Sequence, residues 1–501
     1  MQPISGTTDR RTMLALSGAF LAGIAGCAET GGDPVWTEND VDETDNEDDE
    51  DDEDEGPVEL TLDDDFPELE FVTDPELETD LLAEQIRSNV AFSLDLLTQL
   101  RSDQPDENLF FSPYSVSVAL AMTYAGARGE TAAEMREALR YELPGSADDW
   151  STATGSDDAT LHAAFGALET EFDRRNEDGE EVDQPRGDSV GDDDDATEDE
   201  DEDESEDELG FQLSSANAVW AADDHSFDDA YFDLLEAYYG AGEHLVDFTG
   251  SPDEAREEIN AWVETQTNDR IEDLLPAGSV DASTRLVLTN AVYFLAAWKH
   301  DFDPANEPET FTGLAGAETE VEMMHQTQEL RYAEHDGHQL VELPYANEET
   351  SMVIILPAAG EFESFEESFS VDVLAAMLDD ASYPQVDLAM PKFGIESKVS
   401  LVSIMQELGM RRAFTSADFS GMVDGETSDL FIGDIVHQSF VEVDEEGTEA
   451  AAATAVMMPT AAPPEQVDLT IDRPFLFYIR DQPTETPLFL GRVINGETFD
   501  D

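Results

Sequence analysis

The chain has 501 residues, 40% of them hydrophobic, and a formal net charge of −99 because 121 Asp and Glu residues outnumber 22 Lys and Arg residues. It is long enough to bury a large core, but the charge argues against a basic nucleic-acid interface, and one cysteine cannot form an intrachain disulfide. At molar salt the Debye length falls to about 3 Å and screens the self-repulsion of such a surface. The composition therefore indicates adaptation to high salt, and we expect loss of folded structure below roughly 0.5 M salt.

The first 27 residues have the features of an export signal. Paired Arg10 and Arg11 precede a short apolar stretch, Met13–Gly26, which is too short to span a membrane comfortably. This order is typical of a twin-arginine signal. Its last four residues, Ile-Ala-Gly-Cys ending at Cys27, resemble the lipobox of prokaryotic lipoproteins, in which the cysteine becomes the lipidated N-terminus. We predict a lipid anchor at Cys27; the alternative is removal by an ordinary peptidase, which leaves no anchor.

Two tracts rich in Asp, Glu and Gly interrupt the chain, at residues 28–56 and 176–208. Like charges repel and few apolar side chains are present to drive collapse, so both tracts are predicted to be disordered. The first would be a tether that holds the domain off the membrane, and the second an insertion in a surface loop. Residues 57–501 are predicted to form the folded domain around that insertion.

Helical and strand-like patterns begin after the tether. Leu81–Leu100 carries apolar residues at helical spacing and predicts a helix. A short strand-like run then leads to Ser112 and Pro113, a good N-cap and first-turn pair for the next helix. Thr131 and Glu134, three residues apart, predict a capping box at the start of a third helix. Strand-like runs follow at Phe211–Ala221 and Leu286–Phe294.

No residue pattern in the chain predicts catalysis or a metal site. His325, His335 and His338 lie close in sequence, but their spacing matches no standard ligand set and no cysteine supports it. The lone Cys27 lies in the export signal, and the Gly-x-Ser-x-Gly elbow of hydrolases is absent. We therefore predict no catalytic residue, no metal and no cofactor.

Residues 445–454 read Glu-Glu-Gly-Thr-Glu-Ala-Ala-Ala-Ala-Thr. In an extended chain alternate side chains face opposite ways, so four small or neutral ones would share a face: Thr448, Ala450, Ala452 and Thr454. Glu449 would point the other way, toward solvent. A strand that slides between two existing strands needs small side chains, because native packing has no spare volume. The segment therefore predicts a loop able to become a buried strand; an Ala-rich helix or tether is the alternative.

This run resembles, residue for residue, the hinge of the reactive-centre loop in inhibitory serpins. Further blocks resemble the same family and occur in its order: Asn108–Ser115, Gly126–Thr131, Asn260–Val263, Leu286–Phe294, Val386–Phe393, Leu408–Met410 and Arg473–Phe477. The resemblance covers residues 81–495, and the chain is identified as a member of the serpin family, of a haloarchaeal, secreted lipoprotein type. One departure is Leu295-Ala296, where the family usually has Lys-Gly.

The resemblance implies an α+β serpin fold: a large mixed central β-sheet, two further sheets, about eight to nine helices and an exposed reactive-centre loop at residues 445–464. It implies a hinge formed by Glu445, Glu446, Gly447, Thr448, Glu449, Ala450, Ala451, Ala452, Ala453 and Thr454. It also implies a polar shutter beneath the strands that must part, formed by Ser112, Ser115, Asn290 and His437. Trp298 matches the breach position near the top of the central sheet.

The family's usual register places the scissile bond sixteen residues past Glu445, between Ala461 and Ala462. Thr460 and Ala462 remain alternatives for the residue before the cut, because the segment that follows is slightly longer than in some relatives. No Lys or Arg lies between Glu445 and Asp472, so a trypsin-like target is not expected. A small residue before the cut suits an elastase-like or subtilisin-like protease, with a chymotrypsin-like one also considered.

The resemblance implies a suicide-type inhibitor, not an enzyme. A serine protease, or a cysteine protease, would cleave the loop, become trapped as an acyl-enzyme and be dragged along as the loop inserts into the central sheet. We expect an extracellular monomer, secreted or anchored at the cell surface, which touches the membrane only through its lipid and binds no nucleic acid. The alternative is a non-inhibitory serpin that acts as a binding, scaffold or chaperone-like module. Bulky, charged or Pro residues on the inserting face of the hinge would favour it, and that face, formed by Thr448, Ala450, Ala452 and Thr454, has none.

Overall fold

The computed structural model describes residues 79–146, 160–181, 211–241, 244–267, 269–304, 308–423, 430–445, 447–448 and 466–496. Within them lie nine α-helices and seventeen strands, which confirms an α+β protein. The predictions for the export signal, Cys27, the tether, most of the acidic insertion and most of the reactive-centre loop concern residues outside this described part.

The helices are, in chain order, α1 Thr79–Asp103, α2 Pro113–Ala125, α3 Gly129–Ala138, α4 Leu161–Glu181, α5 Asp229–Tyr239, α6 Pro252–Gln266, α7 Phe362–Ser368, α8 Val371–Asp379 and α9 Val402–Glu407. The predicted helix at Leu81–Leu100 is confirmed as α1. Ser112 is confirmed as the N-cap of α2, because its hydroxyl accepts a hydrogen bond from the Ser115 backbone N–H and Pro113 opens the first turn.

The strands are β1 Leu109–Phe111, β2 Phe211–Ala222, β3 His244–Val246, β4 Leu286–Ala297, β5 Glu309–Thr312, β6 Glu318–Val321, β7 Met323–Glu329, β8 Arg331–His335, β9 His338–Pro344, β10 Thr350–Leu356, β11 Gln385–Pro391, β12 Phe393–Ser400, β13 Ile432–Val443, β14 Gly447–Thr448, β15 Gln466–Thr470, β16 Phe475–Asp481 and β17 Thr486–Val493. The strand-like runs predicted near Phe211 and Leu286 are confirmed as β2 and β4.

These strands form three larger sheets and one two-stranded ladder, β5–β6. The central sheet has the order β12-β13-β14-β4-β2-β3, a second has β1-β17-β16-β10-β9-β8, and a third has β15-β11-β7. The central sheet is mixed, because β13 runs parallel to β4 and β2 parallel to β3, while its other pairs are antiparallel. Its long strands β4 and β13 occupy the middle of the sheet.

Apolar layers cover both faces of the central sheet. On one face Leu288 and Val292 of β4 join the main core, to which the wholly buried helix α2 also belongs. On the other face Ala291 packs with Ile259 and Val263 of α6 in a second cluster. A strand that entered beside β4 would therefore lie between two hydrophobic layers, where only small side chains fit without displacing neighbours.

The predicted capping box at Thr131 and Glu134 is wrong. Helix α3 begins at Gly129, so both residues lie inside the helix. Their side chains bind a distant segment instead: the Thr131 hydroxyl accepts the Asp418 backbone N–H, and the Glu134 carboxylate accepts those of Arg411 and Arg412. Tertiary donors have taken the place of the helix's own N-terminal N–H groups.

The predicted start of the acidic insertion is also too early. Helix α4 continues to Glu181, so its last residues overlap the tract expected to be disordered from residue 176 onward. The first residue of that tract binds the central sheet: the Asn176 side-chain amide donates to the Leu213 carbonyl at 3.0 Å and accepts the Leu213 N–H at 2.8 Å. These two hydrogen bonds join α4 to Leu213, near the start of β2.

Candidate functional site

The seam between β13 and β4 is closed along most of its length and parted at one end. The two strands pair directly from Ile432–Leu286 to Ser439–Val292. Beyond that point β14 lies between them, with Thr448 opposite both Val443 of β13 and Ala296 of β4. The first paired residues of the predicted hinge therefore already form a short strand in the gap.

A tight turn leads from β13 into this short strand. The Asp444 N–H donates to the Gly447 carbonyl at 3.0 Å, and the Gly447 N–H donates to the Asp444 carboxylate at 3.1 Å. The Glu445 carbonyl accepts the Phe302 N–H at 2.8 Å. These three hydrogen bonds hold the chain as it reverses direction.

Trp298, the predicted breach residue, lies against this turn. Its indole N–H donates to the Asp444 carbonyl at 3.0 Å. Its ring stacks on Tyr345, with centroids 4.6 Å apart and planes 5° apart, and meets Phe302 edge-on. Tyr345 was not a predicted site residue, yet it provides the surface that orients Trp298. The aromatic group thus positions the backbone from which the hinge departs.

An ion pair joins the same turn to the end of β11. The Lys392 ammonium lies 2.6 Å from the Glu445 carboxylate, and this hydrogen bond raises the pKa of Lys392. Lys392 is one of only three lysines in the chain, but the sequence alone did not identify it as a partner of the hinge. Because both side chains are partly exposed, such a pair stabilises by up to about 1 kcal/mol.

The four predicted shutter residues come together at the closed part of the seam, and all are buried. The Ser112 backbone N–H donates to His437 Nε2 at 3.1 Å, so the ring proton must lie on Nδ1, which faces the Asn290 side-chain oxygen. The Ser112 hydroxyl donates to the Leu488 carbonyl at 2.7 Å. Burial lowers the pKa of His437 to about 4, so the imidazole is neutral at neutral pH.

Asn217 of β2 belongs to this network and was not predicted. Its side-chain oxygen accepts from the Ser115 hydroxyl at 2.9 Å and from the Asn290 amide at 2.5 Å, while that amide also donates to Ser115 at 2.7 Å. Asn217 lies directly opposite Asn290 in the β2–β4 ladder. The signal was present, because a polar Asn between Ala216 and Ala218 in an apolar strand needs a hydrogen-bond partner when it is covered.

The three clustered histidines have separate side-chain partners, although His335 lies opposite His338 in the β8–β9 ladder. His325 contacts Glu309, His335 pairs with Asp380 at 2.7 Å, and the His338 ring accepts the Ala358 N–H. Across the described residues no group of three or more His, Cys, Asp or Glu side chains could hold a metal ion. Among the described helices, none is long and apolar enough to cross a membrane.

The site thus consists of a mixed sheet whose strands β13 and β4 are parted at one end by β14, with a polar cluster at their closed part. The family model described as Serpin (serine protease inhibitor) matches residues 87–496. The chain therefore belongs to the serpin family, and the resemblance drawn from the hinge and the other sequence blocks is confirmed.

Relatives and solved structures agree with this assignment. A serpin-like protein of Thermococcus kodakarensis is 38% identical over 409 residues, which cover 81% of this chain and 84% of the relative. Leukocyte elastase inhibitor A of Mus musculus is 34% identical over 423 residues, covering 82% and 99%. The structure of Serpin48 of Tenebrio molitor matches with a TM-score of 0.64 at 27% identity, covering 84% and 100%. Uncleaved ovalbumin matches with a TM-score of 0.65 at 25% identity, covering 82% and 99%.

Proposed function

We propose that this serpin is a suicide-type inhibitor of a serine protease. The protease would cleave the reactive-centre loop, form an acyl-enzyme and become trapped when the cut loop inserts into the central sheet. The observation that carries the proposal is the pairing of Gly447 and Thr448 between β13 and β4, because it places the start of the loop in the gap that insertion would widen.

The register of β14 can be projected along the seam. Thr448 lies opposite Ala296, and the strands are antiparallel, so each later loop residue would fall opposite the preceding residue of β4. Met458 would then reach Leu286, the first residue of β4. The proposed scissile bond, Ala461–Ala462, would lie just past the end of the strand, so nearly all of the loop before the cut would be paired.

The same register supports the hinge faces drawn from the sequence. Ala450 would lie opposite Phe294 and Ala452 opposite Val292, both of which belong to the main core. Glu449 would lie opposite Leu295, which is only partly buried. Small side chains would thus enter the packed face and the charged one would remain near solvent, as insertion requires.

Thr454 would arrive at the shutter. Counting from Ala296 places it opposite Asn290, and counting from Val443 places it opposite His437. These two side chains now contact each other across the seam, and insertion must separate them. A hydroxyl delivered between them could replace the lost hydrogen bond, which removes the cost of leaving two buried polar groups unpaired.

We propose an elastase-like, chymotrypsin-like or subtilisin-like target, because the residue before the cut is small, whether it is Ala461, Thr460 or Ala462. The name of the mouse relative, leukocyte elastase inhibitor A, points to the same class. We also propose that the protein acts outside the cell, exported by the twin-arginine signal and anchored through Cys27. Its salt-adapted composition suits a folded protein that is exported into a concentrated medium.

The test is incubation with a panel of these proteases in molar salt. We expect an adduct that survives denaturing gels, a nick located by mass spectrometry between residues 460 and 463, and a large rise in the melting temperature of the cleaved protein. Cleavage without an adduct, together with unchanged melting, would indicate the non-inhibitory alternative instead.

A further inference from the structure

One large hydrophobic side chain is exposed in the described part of the chain: Tyr383, with 65% of its surface accessible. It lies in the connection between α8 and β11. Single exposed apolar residues are common on proteins, so exposure alone assigns no role. Its location and its fixed backbone are what set it apart.

Tyr383 lies near the end of the third sheet at which the reactive-centre loop rejoins the fold. Strands β11 and β15 are parallel, and their first residues, Gln385 and Gln466, pair with each other. Both strands therefore begin at the same end of the sheet, and Tyr383 precedes Gln385 by two residues. Ala461 precedes Gln466 by five, and an extended chain covers at most about 3.6 Å per residue, so the scissile bond is within about 18 Å of Gln466. A protease that holds this bond must come close to that end of the sheet.

The backbone around Tyr383 is fastened on both sides. Ser382 and Tyr332 exchange two backbone hydrogen bonds, at 2.8 and 2.9 Å, and the Pro384 carbonyl accepts the Leu330 N–H at 3.3 Å. The ring is therefore presented from an ordered backbone and has only two side-chain torsions to lose on binding. Such a residue contributes contact area at a low entropic cost.

The residues next to Tyr383 in the chain, Ser382 and Pro384, carry no charge. We call Ser382, Tyr383, Gln385 and Gln466 the loop-exit patch; the two Gln amides are joined by a 3.2 Å hydrogen bond. Glu329, opposite Gln385 in β7, and Asp380, paired with His335, border the patch. In molar salt charge steering is largely screened, whereas the attraction of a desolvated aromatic ring persists.

We propose that the loop-exit patch is a docking contact for the protease that cleaves the loop, with Tyr383 inserted into an apolar or aromatic-lined hollow on the protease surface. This inference rests on the proposed inhibitory function. The contact acts during the encounter, before cleavage. Because insertion then carries the protease away from the patch, the contact should speed association without changing the final adduct.

The experiment compares the native chain with Tyr383→Ala and Tyr383→Phe in molar salt. Two quantities are measured: the second-order rate constant of adduct formation, and the stoichiometry, which is the number of inhibitor molecules consumed per protease molecule. We expect Tyr383→Ala to slow association about tenfold, since an interface aromatic anchor contributes more than 1 kcal/mol, and Tyr383→Phe to stay within about twofold because it keeps the ring. The stoichiometry should not change. Tyr383→Asp, at the same exposed position, should slow association at least as much as Tyr383→Ala.

The outcomes separate this inference from the function on which it rests. Adduct formation by the native chain, with equal rates for native and Tyr383→Ala proteins, overturns the docking contact and leaves the inhibitor intact. Equal slowing in the Phe and Ala variants overturns the role of the ring as anchor. If Tyr383→Ala slows association and also changes the stoichiometry, the substitution affects loop insertion, and the docking contact is overturned. If the native chain forms no adduct with any protease of the panel, both proposals fall.

Discussion

The two ends of the seam between β4 and β13 are held by different kinds of contact. At the parted end, the turn before Gly447 is held by the Trp298 indole and the partly exposed Lys392–Glu445 pair. At the closed end, a backbone ladder is backed by a polar network centred on the buried side chains of His437 and Asn290.

This difference indicates where insertion is easy and where it is opposed. The contacts at the parted end surround a strand that is already in place, and a partly exposed ion pair is weak. Opening the network separates His437 from Asn290, two side chains with no access to water, and costs about 1–3 kcal/mol for each partner left unsatisfied. We therefore expect the shutter, rather than the hinge turn, to set the barrier to further insertion.

The largest expected effect comes from Thr448→Arg. Thr448 pairs with Val443 and Ala296, which are both buried, so a guanidinium carried in with the inserted strand would be removed from water. Since burying an unpaired charge costs several kcal/mol, we expect the adduct fraction to fall below about one tenth while cleavage continues. Glu449→Arg, whose side chain is expected near solvent, is the matched control. Normal inhibition by Thr448→Arg, measured on denaturing gels, would remove the basis for loop insertion.

A pH titration tests the closed end of the seam. The pKa of His437 is lowered to about 4, against about 6.5 in an unfolded chain. Between these values the unfolded state binds a proton that the native state does not, so stability falls as the pH drops from about 6.5 toward 4, by up to about 3 kcal/mol. The measurement is the melting temperature against pH in molar salt, compared with His437→Gln.

The comparison with His437→Gln is needed because another buried group acts in the opposite direction. Burial raises the pKa of Glu169, hydrogen-bonded to Tyr114, to about 7. The native state then holds this proton more tightly than the unfolded one, which adds stability as the pH falls below 7. The difference between native and His437→Gln profiles isolates the histidine, and parallel profiles would contradict its assignment as a neutral shutter residue.

A smaller effect is expected from Thr454→Val, which keeps the size of the side chain and removes its hydroxyl. If Thr454 replaces the contact between Asn290 and His437, the cleaved protein should lose about 1–3 kcal/mol of stability while the intact protein is unchanged. Thr454→Ser keeps the hydroxyl and is the control. Equal melting of cleaved Val and Ser variants would show that the inserted loop does not complete the network.

The smallest effect is expected at the hinge turn. Lys392 and Glu445 should show a coupling energy of about 0.5–1 kcal/mol in a double-mutant cycle of Lys392→Met and Glu445→Gln, because both side chains are partly exposed. Melting temperatures of the four intact proteins measure it, and the coupling should shrink as salt rises. A coupling larger than the His437 effect would reverse the expected order of the two ends.

Much of the fold was predictable because it depends on local patterns. The Leu81–Leu100 periodicity and the Ser112–Pro113 helix start could be recognised without knowing which distant residues they contact. The capping box at Thr131 failed for the opposite reason, since a distant segment around Asp418 supplies the donors. Helix α4 likewise continues into the tract expected to be disordered, whose first residue, Asn176, binds the distant strand β2.

The site shows the same division. Ser112, Ser115, Asn290 and His437 were named through the family resemblance, and the structure brings them together; their function in insertion remains a prediction. Asn217 was missed because its role depends on the register that sets it opposite Asn290. Lys392 was missed because a lone lysine does not reveal which of many carboxylates it will bind.

The sequence by itself determined the family, the small-residue hinge and some of the helices and strands, because spacing and side-chain size act along the chain. Tertiary structure decided which residues meet: the register of β14, the tautomer of His437, the partner of Lys392 and the exposure of Tyr383. These depend on contacts between residues far apart in the chain, and their energies arise only when packing removes water and sets donors against acceptors.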